Sequence, residues 1–130
     1  MSQVEDVVRD ALGHLGVIDA DQPINALDMR DSIRALNTMM ARWSANGMEL
    51  GWSPVEAGTD PLPAPPEAEE AIGYNLAVRL RARYRANPGP DVFLLAEQGL
   101  SALRRDRMVE MPLTWDREGN CYDVRTDSYR

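Results

Sequence analysis

Lysine is absent from this chain, and histidine, cysteine and phenylalanine each occur once. Each shortage excludes a class of chemistry. Cys121 alone cannot close an intrachain disulfide, and with only His14 beside it in the inventory it cannot assemble a metal cluster. The chain therefore reads as intracellular and free of cofactors. His14, next to Gly13 on an amphipathic stretch, has the position of a surface or half-buried histidine rather than of a general base. No Ser or Cys nucleophile has a plausible base, and no glycine-rich phosphate loop occurs. Glu67, Glu69 and Glu70 crowd together, but a glycosidase needs two carboxylates held across a cleft, whereas acids at the start of a helix complement its positive end. The expectation is a protein that is not an enzyme.

Long apolar runs are missing too. None approaches the roughly 20 residues needed to span a bilayer, and the acidic N-terminus lacks a signal-peptide pattern, so no membrane partner is expected. Basic charge is short: 14 Arg stand against 21 acids, for a net charge of −7. A dedicated DNA or RNA binder needs basic residues that displace counterions from phosphates, so specific nucleic-acid binding is not expected. Exclusive use of Arg suits planar, bidentate pairing at interfaces, and a biased genome produces the same usage. The acids cluster, with Glu5, Asp6, Asp10, Asp19, Asp21, Asp28 and Asp31 set against Arg9 and Arg30 in the first 31 residues. Such polarity is that of a solvated surface, or it orients one subunit against another. With three Trp, four Tyr and one Phe, the core is Leu, Val, Ile, Met and Ala and is thin, so partner subunits supply part of the burial.

What is present is helical periodicity. From Asn25 to Gly47, Ala26, Met29, Ile33, Leu36, Met40 and Trp43 recur at steps of three and four, one stripe of an α-helix. Asn25 is suited to cap its start and Asn46-Gly47 to end it. A helix of this length is expected at the centre of a small bundle. Before it, Ser2 and Glu5 form a capping-box pair, and Val4, Val8, Ala11, Leu12 and Leu15 make a face of about four turns. Met48 to Pro66 holds Gly51, Pro54, Gly58, Pro61, Pro63, Pro65 and Pro66 and cannot be helix. Its Leu50, Trp52 and Val55 are apolar enough to dock on something, and a loop this long is more often contact-making than idle.

A third helix is expected to start near Glu67, with Pro66 in its first turn, and to face inward through Ala68, Ile72, Leu76, Leu80 and Tyr84. Along its end only Arg79 with Arg83, and Arg81 with Arg85, share a side. Asn87-Pro-Gly-Pro90 breaks the chain. A fourth helix follows, with Phe93, Ala96, Leu100 and Leu103 on one side, and ends near Arg107. Beyond Val109 helical periodicity stops, and Glu118-Gly119-Asn120 is a turn signal between two short stretches of possible strand. The fold expected is all-α: a small bundle of about four helices with a long proline-rich loop and an extended or weakly hairpin C-terminal arm. The domain division is 1–108 for the helical domain and 109–130 for the arm, with Met29, Ile33, Leu36, Met40, Ile72, Leu76 and Leu80 in the core.

The run ALGHLGVIDADQPINALDMRDSIRALNTMMARWSANG, followed after a proline-containing loop by EEAIGYNLAVRLRARY and a second Pro-Gly break, resembles the head-to-tail connector proteins of tailed bacteriophages, specifically their tail-accessory or head-completion adaptors. The resemblance extends from about Val4 to Arg105, and YDVRTD near the end is also family-like. It implies a structural adaptor of the virion neck, assembled in the host cytoplasm as a ring with neighbouring copies of itself, commonly twelve. Such a ring sits beneath the portal protein, contacts the next tail component and lines the channel through which DNA passes. The Met48 to Pro66 loop is short beside members that carry a larger strand-containing insertion.

The family's use of its C-terminal segment, together with the bulky groups found there, points to Pro112, Trp115, Tyr122, Val124, Arg125 and Tyr129 for portal binding. Trp52, Val55, Arg79 and Arg83 are the candidates for subunit or tail-protein contact. An acidic ring also suits passage of DNA, because a channel should repel and not grip. A different class, a small acidic helical cytoplasmic regulator or protein-binding module acting through its helix faces, fits the same composition. Gene position beside portal and capsid genes discriminates the two.

Overall fold

In the computed structural model, the structure describes residues 2–19 and 21–107 and, beyond them, three short backbone segments, Thr114–Trp115, Cys121–Asp123 and Ser128–Tyr129. The fold is an all-α bundle of four helices: α1 (Val4–His14), α2 (Ala26–Ala45), α3 (Glu69–Tyr84) and α4 (Pro90–Arg107). A 3-10 turn, Pro66–Ala68, leads into α3.

The ends of α2 follow its local chemistry. The Asn25 side chain accepts a hydrogen bond from the Leu27 amide at 3.0 Å, meeting one of the orphan donors of the first turn. At the other end Gly47 has φ +89°, a left-handed conformation that a side chain would resist, and Met48 N–H closes back onto the Trp43 carbonyl at 3.0 Å. The first helix differs from the expectation by one residue. Its cap is Gln3, whose backbone N–H donates to Asp6 Oδ2 at 3.0 Å, and it has 11 residues, about three turns. The Ser2/Glu5 pair does not form: the Glu5 amide that Ser2 would cap donates instead to the Gly58 carbonyl at 2.8 Å, while the Ser2 carbonyl accepts from Leu62 N–H at 2.9 Å and Gln3 bridges Pro61 in antiparallel fashion. Tertiary pairing overrides the local capping preference.

The hub of the bundle is α3 and not α2. It packs against α1, α2 and α4, and buries Ala71, Ile72, Gly73, Leu76, Ala77 and Leu80. At 100° per residue these cover roughly two-thirds of the helix circumference, and small residues on several sides let three neighbours approach. By contrast α2 keeps Arg30, Arg34, Thr38, Ala41 and Arg42 exposed. The core joins Val4, Val7, Val8, Ala11 and Leu12 of α1 to Ile33, Leu36, Met39, Met40 and Trp43 of α2 and to the inner face of α3. Of the expected core residues, Met29 departs: it is only partly buried and packs at the edge, and Ala26 is exposed.

Two contacts fix α4 on α3. Gly99 lies so close to Ala71 that a Cβ there would stand 2.9 Å from the Ala71 Cβ and 3.1 Å from its Cα. Beside it, Asn75 Nδ2 donates to the Ala71 carbonyl at 2.8 Å and to the Ala96 carbonyl of α4 at 3.0 Å. His14 of α1 stacks on Tyr74 of α3, centroids 4.1 Å apart and planes within 7°. That is a packing role.

Candidate interaction surface

The loop between α2 and α3 is held by its own chain. Val55 is 6% exposed; its N–H donates to Asn37 Oδ1 at 3.1 Å, and its carbonyl accepts from Asn37 Nδ2 at 2.8 Å. The Asn37 amide thus treats the loop as a neighbouring strand would. Asp60 Oδ2 accepts from the amides of Glu56 and Ala57, both at 3.0 Å, and these bonds hold its carboxyl below the usual carboxylate range. The Val4 and Glu5 amides, orphan donors at the start of α1, reach the Asp60 carbonyl at 3.0 Å and the Gly58 carbonyl at 2.8 Å. Met48, Leu50, Val55 and Leu62 join the core.

This has consequences for the expected contact residues. Val55 is a core residue of its own chain, so its side chain is not on offer to a neighbour. Trp52 is partly buried against the core, at a hollow shared with Met40, Ser44 and Met48, and its indole N–H is buried with no acceptor among the described residues. Arg83 is ion-paired with Asp31 of α2, while Arg79 is exposed. Nearby, Arg81 lies over the Phe93 ring, 5.0 Å from its centre.

Close to the Arg83–Asp31 pair, Tyr84 of α3 brings its hydroxyl near Asp28 and Ser32 of α2. Ser32 is completely buried, and neither its hydroxyl nor that of Tyr84 makes a well-formed hydrogen bond among the described residues. Burial first, and then the neighbouring Asp28 carboxylate, raise the Tyr84 phenol above its ordinary value; Ser32 and Arg83 act in the opposite sense.

The docked loop and the outer side of α2 enclose a groove of about 480 Å³. Ala26, Met29 and Ile33 give it an apolar floor, Arg30 and Arg34 stand along the helix lip, and Glu56 to Gly58 form the opposite wall. Gly58 lets the wall close on Met29, since a Cβ there would come within 3.1 Å of the Met29 sulfur. Leu27, 57% exposed, shares a helix line with Arg34 one turn pair away. Sequence reasoning missed Asn37 and Asp60 as the residues that build this surface. Asp60 was open to discovery from its place after Gly58-Thr59 in a turn, but nothing local marks Asn37.

Of the C-terminal candidates, Pro112, Val124 and Arg125 lie outside the described residues. Trp115, Tyr122 and Tyr129 fall in β1 (Thr114–Trp115), β2 (Cys121–Asp123) and β3 (Ser128–Tyr129), which pair antiparallel in the order β1-β2-β3. Thr114 is opposite Tyr122, Trp115 opposite Cys121, and Tyr122 opposite Tyr129. Among the described residues no helix is long and apolar enough to cross a membrane. No curated protein matches the chain. The family model of the P22 tail accessory factor matches residues 2–123, a span that holds all four helices and runs through β2.

Proposed function

The chain belongs to the P22 tail accessory factor family, and on that premise we propose that it is a non-enzymatic, structural head-to-tail adaptor of a bacteriophage virion. It forms a ring of neighbouring copies, twelve in number, beneath the portal protein in the virion neck, joins the capsid to the next tail component and lines the channel for DNA. The match over residues 2–123 carries the reading. Its physical support lies in three features. A net charge of −7 on each copy gives a ring that repels passing DNA instead of binding it. The hollow beside Trp52, lined by Met40, Ser44 and Met48, offers a neighbouring subunit or tail protein a place to seat an apolar side chain. The arm, residues 109–130, holds the bulky groups Trp115, Tyr122, Val124 and Tyr129, and adds to an exposed portal edge as a strand, with Pro112 and Arg125 beside them.

Ordering the arm costs about 1–2 kcal/mol per residue in backbone entropy, so attachment uses several anchors and gains from many copies bound together. The test is electron microscopy of the protein mixed with its portal rings, for the intact chain and for a deletion of residues 111–130. The intact chain is expected to decorate each portal with one ring, and the deletion to keep its helical circular dichroism while losing the portal. Absence of rings on the portal with the intact chain refutes the adaptor reading; full decoration by the deletion refutes the arm as the attachment device.

A further inference from the structure

We propose that the α2 groove receives the exposed ridge of α4 from a second copy of this chain. The ridge is built around Leu94, 54% exposed, the other large apolar side chain besides Leu27 that stands out among the described residues. Asp91 precedes it by one turn and Glu97 follows it by one turn, both exposed, so an apolar knob is flanked by acids along one side of the helix. The groove has the converse pattern: an apolar floor at Met29 and Ile33, flanked by Arg30 and Arg34. Neither arginine is held tightly, since Arg30, its side chain 75% exposed, reaches Asp31 only at 3.9 Å, and Arg34 makes no salt bridge among the described residues.

One copy cannot fill its own groove, because α2 and α4 each pack on α3 and have no substantial contact with each other. A symmetric pairing of groove with groove sets Arg30 and Arg34 against themselves, and ridge with ridge sets Asp91 and Glu97 against themselves; both are repelled. Ridge into groove joins opposite charges around an apolar centre. The centre supplies affinity and the charges supply register. Glu56 on the far wall disfavours a seating in which the acids face the loop, so it directs them to the helix lip. Because the two patches differ, the contact is head-to-tail and repeats from copy to copy, closing a ring where the rotation allows. The inference rests on the ring proposed above and names the surfaces that close it.

The experiment uses the full chain and reads assembly by sedimentation velocity and native mass spectrometry over a concentration series, alone and on portal rings. Leu94→Asp, Arg34→Glu and Glu97→Arg all change exposed side chains, so each is expected to keep the wild-type circular dichroism and melting temperature while raising the half-assembly concentration about tenfold or more. An equimolar mixture of Arg34→Glu with Glu97→Arg chains, and the double variant in one chain, restore an opposite-charge pair at every contact and are expected to assemble as the wild type does. If the single variants assemble normally, the ring uses other surfaces and the ridge-in-groove contact is wrong while the ring stands. A wild-type chain that remains monomeric at every concentration and on the portal overturns both. Loss of portal binding in Leu94→Asp with unchanged self-association assigns the ridge to the portal and overturns the contact between copies.

Discussion

Replacing Asn37 by Ala isolates what holds the long loop in place. The change removes a donor and an acceptor together, leaving the Val55 carbonyl and N–H without the partners they have at 2.8 and 3.1 Å. A buried backbone group left unmet costs about 1–3 kcal/mol, and Val55 is 6% exposed. Asn37 itself lies at a half-buried edge, where water can replace one of the two bonds, so the expected loss is about 1–3 kcal/mol in total and not twice that. Against a domain stability of roughly 5–15 kcal/mol this shifts the urea midpoint clearly without unfolding the chain. The loop should respond more than the bundle, since its opening needs only the loss of local contacts. Hydrogen exchange followed residue by residue is therefore the sharper assay: the Val55 amide is expected to lose protection in Asn37→Ala while the Leu76 amide in α3 changes only with global stability. Asn37→Asp keeps an acceptor for the Val55 N–H but sets a carboxylate against the Val55 carbonyl, and is expected to be at least as damaging. An unchanged midpoint together with unchanged Val55 exchange would refute the view that this amide anchors the loop.

Gly99→Ala opposes two effects: helix propensity favours Ala by about 1 kcal/mol, but the new Cβ meets backbone as well as side chain of Ala71 at 2.9 to 3.1 Å, an overpacking cost of about 1–3 kcal/mol. Thermal unfolding is expected to show net destabilisation, and a raised melting temperature would mean that α4 can move off α3 freely. The Asp60 carboxyl, held down by the Ala57 and Glu56 amides, is expected to titrate below its ordinary value of 3.8 in an NMR pH series. Since its folded pKa is the lower one, its contribution to loop order is complete above the ordinary carboxylate range and is lost as pH falls through the folded value. Asp60→Ala is expected to increase proteolysis between residues 54 and 62 at neutral pH; equal cutting rates in the variant and the parent would contradict this.

The four helices were legible because their signals are local. The α2 stripe with its Asn25 cap and its Gly47 stop needs no tertiary information, and the fragment Pro66-Glu67-Ala68-Glu69-Glu70 marks the entry to α3 by its proline and acids. What was not legible depends on contacts distant in sequence. The start of α1 moves from Ser2 to Gln3 because residues 61 and 62 pair with the strand-like residues ahead of the helix. The central role of α3 comes from Ala71, Gly73 and Ala77, whose small size matters only once three helices meet around them. Met29 reads as core in the stripe but is only partly buried, in the floor of the groove, because the loop wall at Gly58 covers it from one side only.

The loop carries the widest gap between sequence and structure, and that gap bears on assembly. Prolines and scattered apolar residues in Met48 to Pro66 read as a segment that a neighbour must cover, and Trp52 and Val55 follow from that reading as contact residues. In the folded chain Val55 is tied to Asn37 and buried, and Met48, Leu50 and Leu62 are spent in the core. The loop therefore contributes to the outer surface as backbone and wall, through Glu56 to Gly58, more than as a set of apolar anchors. By lying on α2 it creates an edge beside an otherwise plain helix, and the apolar floor at Met29 and Ile33 becomes a groove with a charged lip. Among the residues whose side chains are described, the large apolar groups that stand exposed, Leu27 and Leu94, are on helices. With its loop folded down, the helical body presents these groups at a set spacing, which the proposed head-to-tail contact needs if it is to repeat with one rotation; whether that rotation closes decides between a ring and a filament.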